Sequence, residues 1–308
     1  MGIFLGTMTS TIFFLWGSPK IIGVVLGGTL IYILGVVDDL KDLPAAVKFS
    51  WQTAVAVLMY SMGIKVQFIH NYFGDGILEF GTIICFVVTV LWIVGITNTI
   101  NLIDGLDGLA AGVSIIAALS IAYVAYIHGE QFGFLLVCFV MLAVAGGAMG
   151  FLPYNFYPAK VFMGDGGSLF LGFMIAILSV VGPLKRSTII AVVIPVLVLG
   201  IPIFDTFFAI IRRLLNGQPI MKADKGHLHH HLMASGYGQL RAVLMLYGIS
   251  ADMGMAAVLV SRELYKDAFV LIVITILYLY VFLTDPNRNV QKRQAVDIAK
   301  EERQNKHD

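Results

Sequence analysis

Ten apolar runs, near residues 3–16, 21–37, 46–63, 81–98, 108–127, 132–152, 167–182, 188–211, 242–261 and 267–284, follow one another with little between them. A helix needs about 20 residues to cross roughly 30 Å of hydrocarbon, and in lipid each segment has to pair its own backbone polar groups, so such runs fold as membrane-spanning helices. Composition closes off a soluble core: 58% of the 308 residues are hydrophobic and 13% are charged, so lipid has to be the solvent. The expected fold class is all-α, a polytopic membrane protein with about ten transmembrane helices in residues 1–284. Residues 285–308 read as a charged, solvated cytoplasmic tail. The first run is short, and Pro195, Gly200 and Pro202 are expected to kink the long eighth one.

Lys and Arg set the orientation. Lys41, Lys48, Lys160, Arg212, Arg213, Lys222, Lys225, Arg241 and the basic residues of the tail fall on one side, against Lys20, Lys65, Lys185, Arg186, Arg262 and Lys266 on the other. The richer side is read as cytoplasmic, with both chain ends inside. A formal charge of +1 supplies no basic face for phosphate backbones, which excludes a nucleic-acid partner. Cys85 and Cys138 lie inside apolar runs and read as small hydrophobes.

With this topology every unusual polar cluster lands on the cytoplasmic side. The stretch Asn98-Thr-Ile-Asn101-Leu-Ile-Asp104-Gly-Leu-Asp107-Gly108 closes the fourth run. A lone Asp at a helix end is ordinarily a cap, but four polar side chains at three-residue steps beside two glycines point to a ligand. Asp38-Asp39 end the second run, where the helix dipole disfavours anions and calls for a cation. Lys41 and Lys48 are the nearby bases. Asp and Asn oxygens without neighbouring cysteines suit a hard ion such as Mg2+, which also reaches substrate phosphates.

The loop Tyr154-Asn-Phe-Tyr-Pro-Ala-Lys-Val-Phe162-Met-Gly-Asp165-Gly-Gly-Ser168 sets a glycine-flanked acid at the start of the seventh run. Its ordinary role is an N-cap, yet free N–H groups there also suit a metal–phosphate site. Phe162 reads as an interfacial anchor or as a surface for a base. In Asp224-Lys-Gly-His227-Leu-His229-His230-His231 the dense histidines fit a phosphate clamp better than a catalytic zinc site, which wants a sparser spacing.

Together these motifs resemble the polyprenyl-phosphate N-acetylhexosamine-1-phosphate transferases of bacterial envelope synthesis, from about Met1 to Met233. The resemblance rests on Gly35-Val-Val-Asp38-Asp39, the Asn98–Ala110 stretch, the Tyr154–Ser168 loop and Asp224–His230. It implies that Asn101 and Asp165 hold Mg2+, with Mn2+ as a permitted substitute. Asp38, Asp39 and Asp104 match catalytic-centre acids. Phe162 matches an aromatic that stacks on uracil, with Asp107 near the base, and Lys48, Asn155, His227, His229 and His230 match substrate contacts. His231 stands where the family often has Arg. Met1-Gly2-Ile3 resembles the start of the family's second span, so a first span and its basic loop are expected upstream, unless the chain is a shortened member.

The branch it most resembles uses UDP-N-acetylglucosamine and undecaprenyl phosphate. The implied activity is transfer of N-acetylglucosamine 1-phosphate to the lipid with release of UMP, starting teichoic acid, O-antigen or a related polymer. The implied place is the bacterial cytoplasmic membrane, with the active site on the cytoplasmic side and a homodimer as an allowed assembly. The alternative within the family is the phospho-N-acetylmuramoyl-pentapeptide transferase of peptidoglycan synthesis. Outside it stand an ion-coupled transporter, given Asp205 and Asp252 inside apolar runs, and an intramembrane aspartyl protease.

Overall fold

The computed structural model describes residues 1–15, 19–66, 68–70, 77–79, 81–129, 132–181, 195–197, 199–200, 203–204, 213 and 238–284. Among the described residues the helices are α1 (Gly2–Leu15), α2 (Pro19–Lys41), α3 (Ala45–Ser61), α4 (Thr82–Ile103), α5 (Leu109–Ile127), α6 (Phe132–Asn155), α7 (Gly164–Val181), α8 (Gln239–Ser261) and α9 (Tyr265–Thr284), each on one of the apolar runs. Six of them are long and apolar enough to cross a membrane by length and composition. The eighth run lies mostly outside the described residues, as do His227, His229, His230 and the tail from 285. The all-α expectation is met apart from a short hairpin, in which β1 (Phe68–His70) pairs antiparallel with β2 (Ile77–Glu79), Ile69 opposite Leu78.

Local chemistry explains where the helices break. α2 stops at Asp42, whose φ of 48° is left-handed, and Pro44 precedes α3, where its missing N–H is no loss. Gly108, at φ 80°, turns the chain into α5, and Gly164, at φ 67°, turns it into α7. Both conformations are cheap only for glycine.

α7 is the central element, with every residue from Gly166 to Val181 buried. A helix apolar on all sides has to be enclosed, and α2 and α4 supply most of the enclosure. Without a hydrophobic drive between helices in lipid, close packing has to come from small residues. A Cβ on Gly172 would lie 2.8 Å from the Thr97 Cα of α4, and one on Gly35 of α2 would lie 2.5 Å from the Gly166 Cα.

Side-chain contacts fix the helix directions. Trp92 Nε1 donates to Ser179 Oγ at 3.1 Å at one end of the α4–α7 pair, and Asn101 meets Ser168 at the other, so the two run antiparallel. α2 and α7 are likewise antiparallel, because Gly27 faces Phe173 while Gly35 faces Gly166. α5 and α8 run parallel, joined at one end by Gly112 and Tyr247 and at the other by Tyr123 and Arg262. The C-termini of α2, α4 and α6 and the N-termini of α3, α5 and α7 therefore share one face.

Gly172→Ala tests this packing, because the added methyl meets backbone that cannot rotate away. We expect about 1–3 kcal/mol of destabilisation, seen as a lower melting temperature in detergent. A melting temperature equal to the parent's would show that α4 and α7 stand further apart.

Candidate active site

The centre of the shared face is an ion-pair network across three helices. Lys48, on the first turn of α3, places Nζ 2.6 Å from Asp38 Oδ2 and 3.2 Å from Asp165 Oδ2. Asp38, on the last turn of α2, is 4% exposed, and its Oδ1 accepts the Leu43 N–H at 2.8 Å. Asp165 Oδ1 accepts from Asn101 Nδ2 at 2.9 Å, and the same nitrogen lies 2.9 Å from Ser168 Oγ. Ser168 in turn donates to the Gly164 carbonyl. Asp38, Lys48, Asn101 and Asp165, far apart in sequence, are thus directly linked.

Asp39 does something different from its neighbour. Its two carboxylate oxygens accept the N–H groups of Asp165 and Gly166 at 2.7 and 3.0 Å. A carboxylate from α2 therefore caps α7, satisfying orphan donors where the helix dipole favours negative charge. Asp165 is the capped residue and not the cap.

A second group sits beside the first. Asn155, 3% exposed, accepts the Gly108 N–H with Oδ1 at 3.1 Å and donates from Nδ2 to the Val161 carbonyl at 3.0 Å. Asp107 Oδ2 accepts the Ala159 N–H at 3.0 Å. These bonds stitch the Asp104–Gly108 turn to the loop between α6 and α7. That loop presents Phe162, 77% exposed, at the rim. Asp104 follows the end of α4, and its carboxyl is pushed up to about 8 by burial first, then by the negative charges of Asp165 and Asp39.

Three contributors carry no motif of their own. Gln52, 2% exposed, clasps Asn98 through paired amides, Nδ2 to Oε1 at 2.5 Å, and so fixes α3 against α4 one turn behind Lys48. Its signal was available, a polar residue four positions after Lys48 on the same helix face. Ser168 was visible only as the end of a motif. Tyr247 donates its hydroxyl to the Gly108 carbonyl at 2.5 Å, and nothing around it in the sequence singles it out.

Among the described residues no group of three or more His, Cys, Asp or Glu is arranged to ligate a metal. Asp38 and Asp165 nevertheless aim one oxygen each at the Lys48 ammonium, while Asn101 turns its amide nitrogen to Asp165 and Ser168. Two carboxylates converging on one cation are the donor type that Mg2+ takes, its other positions going to water and substrate phosphates.

A family model described as glycosyl transferase family 4 matches residues 21–183. The chain is 44% identical over 277 residues to a probable undecaprenyl-phosphate N-acetylglucosaminyl 1-phosphate transferase of Bacillus subtilis strain 168, covering 90% of this chain and 75% of that protein. It is 33% identical over 240 residues to a decaprenyl-phosphate N-acetylglucosaminephosphotransferase of Mycolicibacterium smegmatis, covering 73% of this chain but only 59% of that longer protein. A phospho-N-acetylmuramoyl-pentapeptide-transferase of Listeria innocua is 32% identical over 228 residues, 70% of this chain and 67% of that protein.

The Asp104 carboxyl generates a pH prediction. Its folded pKa of about 8 lies above the ordinary value of 3.8, so between these values the folded state binds the proton that the unfolded state has released. Stability then falls as pH rises through this window and levels off above it. Melting of the parent and of Asp104→Asn in detergent, without divalent cations, should diverge between pH 5 and pH 8 in favour of the variant. A pH-independent difference would remove the Asp104 carboxyl as its cause.

Proposed function

From the chain's membership of glycosyl transferase family 4, we propose that it transfers N-acetylglucosamine 1-phosphate from UDP-N-acetylglucosamine to undecaprenyl phosphate, releasing UMP and starting a cell-envelope polymer such as teichoic acid or O-antigen. The observation that carries this reading is the Asp38–Lys48–Asp165 network at the N-terminus of α7, on a face that both an aqueous nucleotide and a lipid head group can reach. The branch follows the Bacillus relative, whose name specifies the undecaprenyl carrier and the N-acetylglucosaminyl group. The bias of Lys and Arg supports placing this face in the cytoplasm.

In the reaction a phosphate oxygen of the lipid attacks the sugar-linked phosphorus of the nucleotide. The new phosphorus–oxygen bond completes a lipid pyrophosphate, and the bond to UMP breaks with its electron pair leaving on UMP. The second pKa of a phosphate monoester is about 6, so the nucleophile is already largely dianionic at neutral pH. Strong general-base help is therefore unnecessary. Asp38, with both oxygens engaged, suits a positioning role. Asp165 and Asn101 would hold Mg2+, which when bound neutralises charge on the pyrophosphate oxygens. Lys48, its side chain partly exposed, would meet a phosphate. Phe162, at the rim, offers a face on which uracil can stack, and Asp107 is held on the loop beside it. Turnover is Mg2+-dependent on this reading.

UMP release from the purified protein with Mg2+, UDP-N-acetylglucosamine and undecaprenyl phosphate tests the proposal. We expect turnover with this donor and little with the muramyl-pentapeptide nucleotide, and preference for the latter would move the chain to the peptidoglycan branch. Asp165→Asn should lower turnover by roughly a thousandfold, several kcal/mol of transition-state stabilisation, with the protein still inserted and folded. Near-normal turnover would remove Asp165 from the mechanism.

A further inference from the structure

Tyr247 belongs to α8, beyond the residues matched by the family model. Its phenol packs against α5 at Gly112, where an added Cβ would lie 2.0 Å from the ring's Cζ. Its hydroxyl reaches the Gly108 carbonyl one helical turn earlier, and a Cβ on Gly108 would meet that hydroxyl at 3.2 Å. Two glycines one turn apart thus leave a slot for one aromatic side chain from another helix.

The peptide groups on either side of Gly108 are held independently. Its N–H donates to Asn155 Oδ1. Its carbonyl accepts both the Gly112 N–H of the first turn of α5, at 2.9 Å, and the Tyr247 hydroxyl. That uses both lone pairs of the oxygen. A left-handed glycine has the widest conformational choice of any residue, so an unheld turn here would sample other directions. Asp107 immediately precedes it, and Asp104 lies on the same turn.

We propose that Tyr247 is a positioning residue for the nucleotide: by pinning the Gly108 carbonyl it holds the Asp104–Asp107 turn in the geometry that UDP-N-acetylglucosamine binds. This rests on the function proposed above and adds that α8 takes part in the nucleotide site without touching substrate. The effect is expected first in nucleotide binding, because the hydroxyl bonds the carbonyl next to Asp107 and has no bond to the Asp38–Lys48–Asp165 network.

The test compares the full-length parent with Tyr247→Phe, which keeps the ring in its slot and removes only the hydroxyl. Tyr123→Phe, at the opposite end of the α5–α8 contact, is the control. One hydrogen bond lost predicts a rise of about five- to tenfold in the KM for UDP-N-acetylglucosamine. The KM for undecaprenyl phosphate and kcat should stay within about twofold of the parent. A loss of folded protein alone would lower apparent kcat and leave both KM values in place. Where kcat collapses, the affinity for UDP-N-acetylglucosamine measured by calorimetry decides, weakening by the same factor supporting the proposal. An unchanged nucleotide KM or affinity, an equal rise for both substrates, or the same rise in Tyr123→Phe would overturn it. A parent that binds the nucleotide but releases no UMP would remove the proposed reaction, and the binding comparison would still decide the role of Tyr247.

Discussion

A single ammonium group, that of Lys48, ties α2, α3 and α7 together by pairing with Asp38 and Asp165. Partly buried charges at the edge of a bilayer are costly unless paired, and removing one partner of such a cluster leaves the others uncompensated. The pairing in turn depends on neutral contacts. The Gln52–Asn98 clasp sets α3 against α4 behind Lys48. Asp39 and Gly35 hold the start of α7 against α2, so Asp165 arrives at a defined height. Charge, amide clasp, cap and glycine contact form one dependent chain, and each member lies within a turn or two of a helix end.

That arrangement explains how much could be read from the residues alone. Among the described residues apolar length located the runs as helices, since in lipid the backbone has no other economical conformation. The boundaries at the site were less legible. α4 continues to Ile103, through Asn98 and Asn101, because Asn98 finds Gln52 and Asn101 finds Asp165 and Ser168, partners from other helices that hydropathy along one segment does not contain. α7 begins at Gly164, three residues before the apolar run, because Asp39 satisfies its first N–H groups. Glycine spacing and paired acids therefore marked where a site would be. Which acid caps the helix and which faces the cation was settled only by the packing of α2 on α7.

The same contrast separates Asp107 from Tyr247. Asp107 announces itself as an acid between glycines, whereas a tyrosine inside an apolar run of α8 is ordinary. Gly108 and Gly112 leave the space for its phenol on that side of α5, and a glycine pair does not name its occupant.

The placement of polar groups also bears on what passes through the protein. A carrier that alternates access presents its ligand groups near the midplane, between two moving halves. Here Asp38, Lys48, Asn101, Asp104, Asp107, Asn155 and Asp165 gather at one face, and the rest of α7 fills the centre with buried, mostly apolar side chains. Asp252, the acid farthest into a span among the described residues, is held by Thr275 of the neighbouring α9. A rim site of this kind suits a reaction whose two substrates come from different solvents. On the function proposed above, the nucleotide would arrive from water and meet Lys48 with its phosphates, while the polyprenyl chain would stay in lipid with only its phosphate reaching the same group. Neither substrate then needs to cross the hydrocarbon, which is why a rigid bundle with its chemistry confined to helix ends is sufficient.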